Sequence, residues 1–137
     1  MEELEKSETV RNLRRAFAEE AALAARYAYF ATLAEFEGLA RHSELFKELA
    51  ESGRCGAGGC FDFLKRVKDD ETGLAVGGTL KNLQSLVQTE ARRQGRTYPE
   101  MARAARREGF TDIASWFDTL EKSTRAHLRK LRELADG

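Results

Sequence analysis

The sequence predicts an all-α protein, a four-helix bundle built from two helical hairpins that are joined by a long crossover loop. Apolar residues recur at three- and four-residue spacing through four long stretches. A single Pro among 137 residues, with runs of Ala, Leu, Glu and Arg, favours helix over sheet. The two halves of the chain also repeat each other's pattern. Because the length suits one domain and is short for two, we expect residues 1–137 to form a single domain.

The four helices are expected at about residues 7–37, 42–68, 79–108 and 111–135. Gly38 and Gly109 stand where helix C-terminal caps belong. Thr79 is a candidate cap for the third helix, which Pro99 is expected to kink. The turn-rich stretch 69–78 is long enough to cross from one end of a bundle to the other.

The repeat places chemically related residues at equivalent positions of the two hairpins. The shared positions are Asn12, Leu13, Glu20 and Gly38 in the first half, and Asn82, Leu83, Glu90 and Gly109 in the second. It predicts that Glu20 and Glu90 lie opposite each other in the middle of the bundle. It also aligns the second helix with the fourth, at Gly53 with Thr124 and at Gly56 with His127.

Three polar groups fall on apolar helix faces, where burial is unfavourable without a partner. These are Glu20, Glu90 and His127. A buried carboxylate has to be paired, hydrogen-bonded or bound to a metal ion. The pattern therefore indicates either a satisfied buried network or a polar binding site inside the bundle.

Composition excludes several classes of function. The formal net charge is zero, which gives no support to nucleic-acid binding. No apolar run approaches the roughly 20 residues that span a bilayer, so no membrane association is expected. The acidic N-terminus is unlike a signal peptide, and we expect a cytoplasmic protein. In that compartment two cysteines indicate thiols, redox partners or ligands rather than structural disulfides.

Several segments resemble the rubrerythrin domain of the ferritin-like family, over roughly residues 9–135. The matching segments are 12–20, 26–30, 70–79, 97–100 and 105–110. The resemblance implies a homodimer, in which helices are sometimes swapped across the crossover. No Cys-x-x-Cys pairs follow the helical region, so a rubredoxin-type iron module is expected to be absent.

The resemblance also implies a set of metal ligands, which this chain keeps only in part. The family's di-iron site takes a Glu from helices one and three, a Glu-x-x-His pair from helices two and four, and a further Glu from helix three. The positions that match are Glu20, Glu90 and His127. The positions that depart are Gly53, Gly56, Arg93 and Thr124. We therefore expect no full di-iron centre, and either no cofactor or a single metal ion, iron or zinc, with Cys60 as a further candidate ligand.

The residues expected to line a remodelled cavity are Gly53, Gly56, Arg93, Tyr27 and Tyr98. Arg93 puts a permanent cation where the family has an anionic ligand. It could neutralise the two surviving carboxylates through charge-assisted hydrogen bonds, or lie on the surface as a charged helical residue usually does.

The second helix contains a glycine-rich segment at residues 53–60. Four Gly in eight positions disfavour a helix by about 3–4 kcal/mol relative to Ala. The segment could remain helical through packing or unwind into a loop. Cys55 and Cys60 are candidate redox thiols, but they could form a disulfide only in the loop, since they are too far apart on a regular helix.

These observations lead to two hypotheses. In the first, the protein is neither a ferroxidase nor a peroxidase, and its remodelled site serves small-ligand binding, partner binding or thiol redox chemistry. In the second, Glu20, Glu90 and His127 hold one metal ion for oxidoreductase or metal-handling activity. Whether the protein is an enzyme stays open; if it is one, an oxidoreductase is expected.

Overall fold

The computed structural model describes residues 2–137, with the side chains of residues 3–137. Its elements are α1 (Glu2–Glu5), α2 (Glu8–Phe36), α3 (Ala40–Leu64), α4 (Thr79–Arg92), a π-helical turn (Arg93–Thr97), α5 (Tyr98–Arg107) and α6 (Thr111–Asp136). The described residues form no strand. The predicted fold class, all-α and ferritin-like with two helical hairpins and a long crossover, is confirmed.

Helix boundaries differ from the expected ones in four places. The short α1 was not expected, and α3 ends at Leu64, about four residues early, where the N–H of Lys65 closes the last turn. Gly78 rather than Thr79 occupies the cap position of α4. The expected third helix is divided by the π turn, and Pro99 lies in the first turn of α5, where its missing N–H is tolerated.

The first compact unit ends at Val67 and contains the α2–α3 hairpin. Most of the buried residues of these two helices are small, which allows the backbones to approach closely, and Val10 packs with Leu64 and Val67 in a hydrophobic cluster. The buried small residues are Ala24, Ala31, Ala34, Ser43, Ala50, Gly53 and Ala57. The Ser43 hydroxyl donates to the Ala31 carbonyl oxygen at 3.0 Å and so joins the helices directly.

The second compact unit begins at Lys68 and contains α4, the π turn, α5 and α6. Its crossover segment is attached to α4 by side-chain hydrogen bonds. The Thr72 hydroxyl lies 3.0 Å from Asp69 Oδ2 and 2.9 Å from the buried Ser85 hydroxyl. An ion pair of 3.3 Å joins Glu71 to Arg92.

The two hairpins turn in the same way, as the repeat predicts. Gly38 and Gly109 take φ values of 75° and 87°, a backbone conformation that side chains with a Cβ rarely adopt. Just after them, the N–H of Leu39 donates to Ala34 O at 2.9 Å, and the N–H of Phe110 donates to Ala105 O at 2.8 Å. Both Gly caps are therefore confirmed. In each hairpin, the hydrogen bond just after the Gly is the 6→1 bond of a Schellman motif.

The π turn falls where the internal repeat changes its spacing. Glu20 corresponds to Glu90, whereas Tyr27 corresponds to Tyr98, so the second hairpin holds one residue more between these points. The N–H of Tyr98 donates to the carbonyl oxygen of Arg93, five residues back. A π turn places five residues where an α-helical turn places four, and so it accommodates one additional residue without breaking the helix.

No helix within the described part of the chain is long and apolar enough to cross a membrane.

Candidate functional site

The candidate residues are distributed over the two compact units. The first unit carries Glu20, Tyr27, Gly53, Gly56 and the two cysteines. The second unit carries Glu90, Arg93, Tyr98, Thr124 and His127. Within either unit, no three described His, Cys, Asp or Glu side chains are placed to hold a metal ion together.

At Gly53 the backbone of α3 lies close to α2. A Cβ at this position would lie 3.0 Å from Ala24 Cβ and 3.1 Å from the Glu20 carbonyl oxygen. One of these neighbours is backbone and the other is held close to it, so neither can move away easily. A side chain at position 53 therefore fits only if α2 or α3 shifts by a few tenths of an ångström.

The absence of a side chain at Gly56, one turn later, leaves space for the Glu20 side chain. A Cβ on Gly56 would lie 2.9 Å from Glu20 Oε2 and 3.3 Å from its carboxyl carbon. Glu20 is half-buried and has no hydrogen bond or ion pair to another described residue. The two glycines thus have different neighbours. Gly53 lies against the backbone of α2, whereas Gly56 lies against the Glu20 carboxylate.

The glycine-rich segment is helical, because α3 continues from Ala40 to Leu64. Cys55 is exposed, Cys60 is half-buried, and both are free thiols. The unwound loop, which the sequence allowed as an alternative to a helix, is not observed. A bond between the two sulfurs would require α3 to unwind.

Tyr27 is half-buried in the first hairpin, where its ring centroid lies 6.2 Å from that of Phe46. The contact is an aromatic pair of ordinary spacing.

In the second hairpin, Arg93 turns to Tyr98 rather than to a carboxylate. The Arg93 guanidinium donates a hydrogen bond to the Tyr98 hydroxyl and lies over its ring, with the guanidinium carbon 5.2 Å from the centroid. The Tyr98 side chain is buried and Arg93 is exposed. Of the two alternatives that the sequence left open, a hydrogen bond from Arg93 to Glu90 is not found among the described residues, and the Arg93 side chain is exposed.

The π turn is the cause of this pairing. In an α-helix, residues five apart point about 140° away from each other, since each residue turns the helix by about 100°. Where the bond runs from residue i to i+5, residues 93 and 98 take the places of i and i+4, which share a face. A regular α-helix of 3.6 residues per turn could not bring residues 93 and 98 together.

Electrostatics around Arg93 favour its charged form. The hydrogen bond to Tyr98 is the largest cause of a raised Arg93 pKa, and the nearby carboxylates of Glu90 and Glu71 raise that pKa further, while partial burial opposes them. Glu90 is half-buried and has no hydrogen bond or ion pair with another described residue. Glu71 already pairs with Arg92.

Thr124 and His127 occupy different environments in α6. Thr124 is buried, and its hydroxyl donates to the Leu120 carbonyl oxygen at 2.8 Å. His127 is exposed.

A polar network that was not predicted from the sequence joins the π turn to α6. Gln94 Nε2 donates to Glu121 Oε2 at 2.7 Å, and Arg125 Nη2 donates to both carboxylate oxygens of Glu121 at 2.8 and 3.0 Å. The bond from Gln94 is the largest cause of a lowered Glu121 pKa, and burial opposes it. The i, i+4 spacing of Glu121 and Arg125 was a visible signal for half of this network.

Comparison with known proteins assigns the chain to a family. The rubrerythrin family model matches residues 11–135. The chain belongs to the rubrerythrin family. The rubrerythrin of Clostridium perfringens is 33% identical to it, over 98% of this chain and 73% of that protein. Rubrerythrin-1 of Clostridium acetobutylicum and the rubrerythrin of Nitratidesulfovibrio vulgaris are each 31% identical, with the same coverage.

The rubrerythrin match extends over both hairpins and the crossover between them. All the candidate residues, from Glu20 to His127, lie within it.

Proposed function

We propose that this rubrerythrin-family chain does not act as a di-iron peroxidase or ferroxidase, and that its remodelled site binds a small ligand. The observation that carries the proposal is the contact at Gly53, where a Cβ would meet Ala24 and the Glu20 carbonyl oxygen at 3.0 and 3.1 Å. The resemblance puts a metal-binding carboxylate at this position. Glycine supplies no ligand atom, and a side chain in its place would require the two helices to shift by a few tenths of an ångström.

Two further residues support the same conclusion. Gly56 offers no ligand atom where the family has a histidine, and the Glu20 carboxylate lies against its backbone. Arg93 places a cation near Glu90, where the family has a further carboxylate. A cation would repel two ferrous or ferric ions, so the residues present do not fit a di-iron centre.

Metal analysis tests the proposal directly. The purified chain is reconstituted with ferrous iron under anaerobic conditions, exposed to air, desalted and measured for iron per chain and for its absorption spectrum. The rubrerythrin of Clostridium perfringens, treated in parallel, is the positive control. We expect substoichiometric iron that Glu20→Gln leaves unchanged. Two irons per chain with an oxo-bridged near-ultraviolet band would contradict the proposal.

A single-metal site is the second candidate function. It is favoured by the lack of a hydrogen-bonding or ion-pairing partner for both Glu20 and Glu90 within the described residues, since unpaired half-buried carboxylates attract cations. The ligands would be Glu20, Glu90 and His127, with Cys60 as a further candidate. Zinc titration distinguishes it: one equivalent bound, and lost in Glu20→Gln, Glu90→Gln and His127→Ala alike, would replace the first proposal with this one.

Thiol redox chemistry at Cys55 and Cys60 is proposed only as an intermolecular reaction. Its support is the exposure of Cys55 on an intact helix. Thiol titration after treatment with oxidised glutathione tests it, and two thiols that stay fully titratable would remove the role.

We also propose that the chain forms a homodimer. Its support is the number of large apolar side chains left exposed in both hairpins, including Phe36 at 86%, Tyr29 at 72% and Trp116 at 58%. Light scattering during gel filtration is expected to give about twice the chain mass of 15.4 kDa. A single-chain mass at micromolar concentration would contradict it.

A further inference from the structure

We infer that Arg93 and Tyr98 form a binding site for a small monocarboxylate. The inference rests on the proposed function, because it names the ligand class of the remodelled site. It depends on residues of the second hairpin alone.

The first argument is the number of unused donors. A guanidinium carries five N–H donors, and among the described residues Tyr98 is the only hydrogen-bond acceptor for Arg93. The Tyr98 oxygen accepts that bond, so its own hydroxyl proton remains available to donate. A carboxylate placed beside the pair can accept from both side chains.

The second argument is that the donors are held in place before any ligand arrives. The Tyr98 ring is buried, which fixes its hydroxyl, and the guanidinium is held over that ring by the hydrogen bond and the cation–π contact at 5.2 Å. A preorganised donor pair loses less conformational entropy on binding than a free surface arginine does.

The third argument selects the charge of the ligand. Glu90 and Glu71 lie close enough to act electrostatically on Arg93. Glu71 is engaged by Arg92 at 3.3 Å, which leaves Glu90 as the main nearby negative charge. A singly charged carboxylate is repelled less than a phosphate dianion, and its two oxygens suit the planar fork of a guanidinium.

The same π turn provides a matched control. Arg96 has the same charge and lies three residues away, but its partner is the exposed Glu100 at 3.5 Å. A nonspecific effect of charge or ionic strength would respond to Arg93 and Arg96 alike.

The test is an NMR titration of the chelator-treated chain with sodium acetate up to about 100 mM, with sodium chloride adjusted to keep the ionic strength constant. We expect saturable shifts at the Arg93 side-chain N–H and the Tyr98 backbone. Arg93→Gln should weaken binding by about tenfold or more, and Tyr98→Phe by about threefold. Arg96→Gln should change it by less than about twofold.

Three outcomes would overturn the inference. These are shifts that never saturate, an affinity that Arg93→Gln leaves unchanged, or an equal loss in Arg96→Gln. Phosphate bound as tightly as acetate would overturn the choice of a monocarboxylate. Because the titration is done without metal, di-iron binding in the separate reconstitution would refute the proposed function and leave this result standing.

Discussion

The four glycines of α3 permit a test of how closely the helix pair is packed. Each Gly→Ala change should stabilise a helix interior by about 1 kcal/mol through helix propensity alone. A Cβ added at Gly58 or Gly59 would meet nothing within 4 Å beyond its own turn of helix, so the variants at these positions should show most of that gain. They serve as the reference for the other two positions.

Gly53→Ala should behave differently from this reference. Its Cβ would meet Ala24 Cβ at 3.0 Å and the Glu20 carbonyl oxygen at 3.1 Å, so the helices would have to shift by a few tenths of an ångström. Overpacking of this kind costs about 1–3 kcal/mol. After the gain in propensity, we expect a net loss of about 0–2 kcal/mol, which is about 1–3 kcal/mol below Gly58→Ala.

Gly56→Ala should fall between these limits. Its Cβ would meet the end of the Glu20 side chain at 2.9 Å, and that side chain can rotate away. We expect a change of about 0 to 1 kcal/mol in the stabilising direction. The Gly56→Ala, Glu20→Ala double variant removes the contact and should recover the full gain relative to Glu20→Ala.

Urea denaturation, followed by circular dichroism, measures the free energy of unfolding for all four variants and the double variant. The reasoning is refuted if Gly53→Ala is as stable as Gly58→Ala with an unchanged urea slope. In that case α2 and α3 would have room at position 53, and the main support for the proposed function would be lost.

The remaining predictions concern the second hairpin's polar network and the two helix turns. The lowered pKa of Glu121 means that its contribution to stability is complete above the ordinary value of 4.5 and is lost as the pH falls through the lowered value. Glu121→Gln should therefore reduce stability at pH 7 and make stability less dependent on pH in acid, as urea titrations between about pH 3 and pH 7 would show; an unchanged pH profile would contradict this. Gly38→Ala and Gly109→Ala should each cost about 1 kcal/mol because of their positive φ, with no steric contribution since nothing lies within 4 Å. A gain like that of Gly58→Ala would show that the turn relaxes.

Much of the fold could be predicted from the sequence, because local chemistry and tertiary packing agree there. Gly38 and Gly109 end helices with the φ values that only glycine takes readily. The apolar face expected to carry Glu20 is found, since Ala24 and Ala31 are buried and Glu20 is half-buried. The repeat was informative because both hairpins close with the same backbone hydrogen bonds.

The glycine-rich segment could not be assigned from propensity, which opposes a helix there by several kcal/mol. What holds it helical is packing against α2, and that contact depends on the absence of side chains at Gly53 and Gly56. Propensity scales describe a residue by itself. They therefore record glycine's low intrinsic preference for helix, and not the close packing of α3 against α2 that glycine permits.

The site around Arg93 could not be predicted because the 3.6-residue period fails there. That period left the direction of the side chain open, between Glu90 and the surface. The change of one residue in the repeat spacing, between Glu20–Tyr27 and Glu90–Tyr98, was the available signal. It indicates an added residue within a helix, which a π turn can accommodate.

The π turn makes this helix unusual in its tolerance of length changes. Deleting one residue from an ordinary helix rotates everything beyond it by about 100° and exposes the buried face. Deleting Gly95 would instead restore between Glu90 and Tyr98 the seven-residue spacing of the first hairpin, so that Ala102 and Ala105 keep their buried face. Arg93 and Tyr98 would then be four residues apart, and Arg93 would remain three residues from Glu90. The added residue is therefore a local change that natural variation could gain or lose without disturbing the rest of the hairpin.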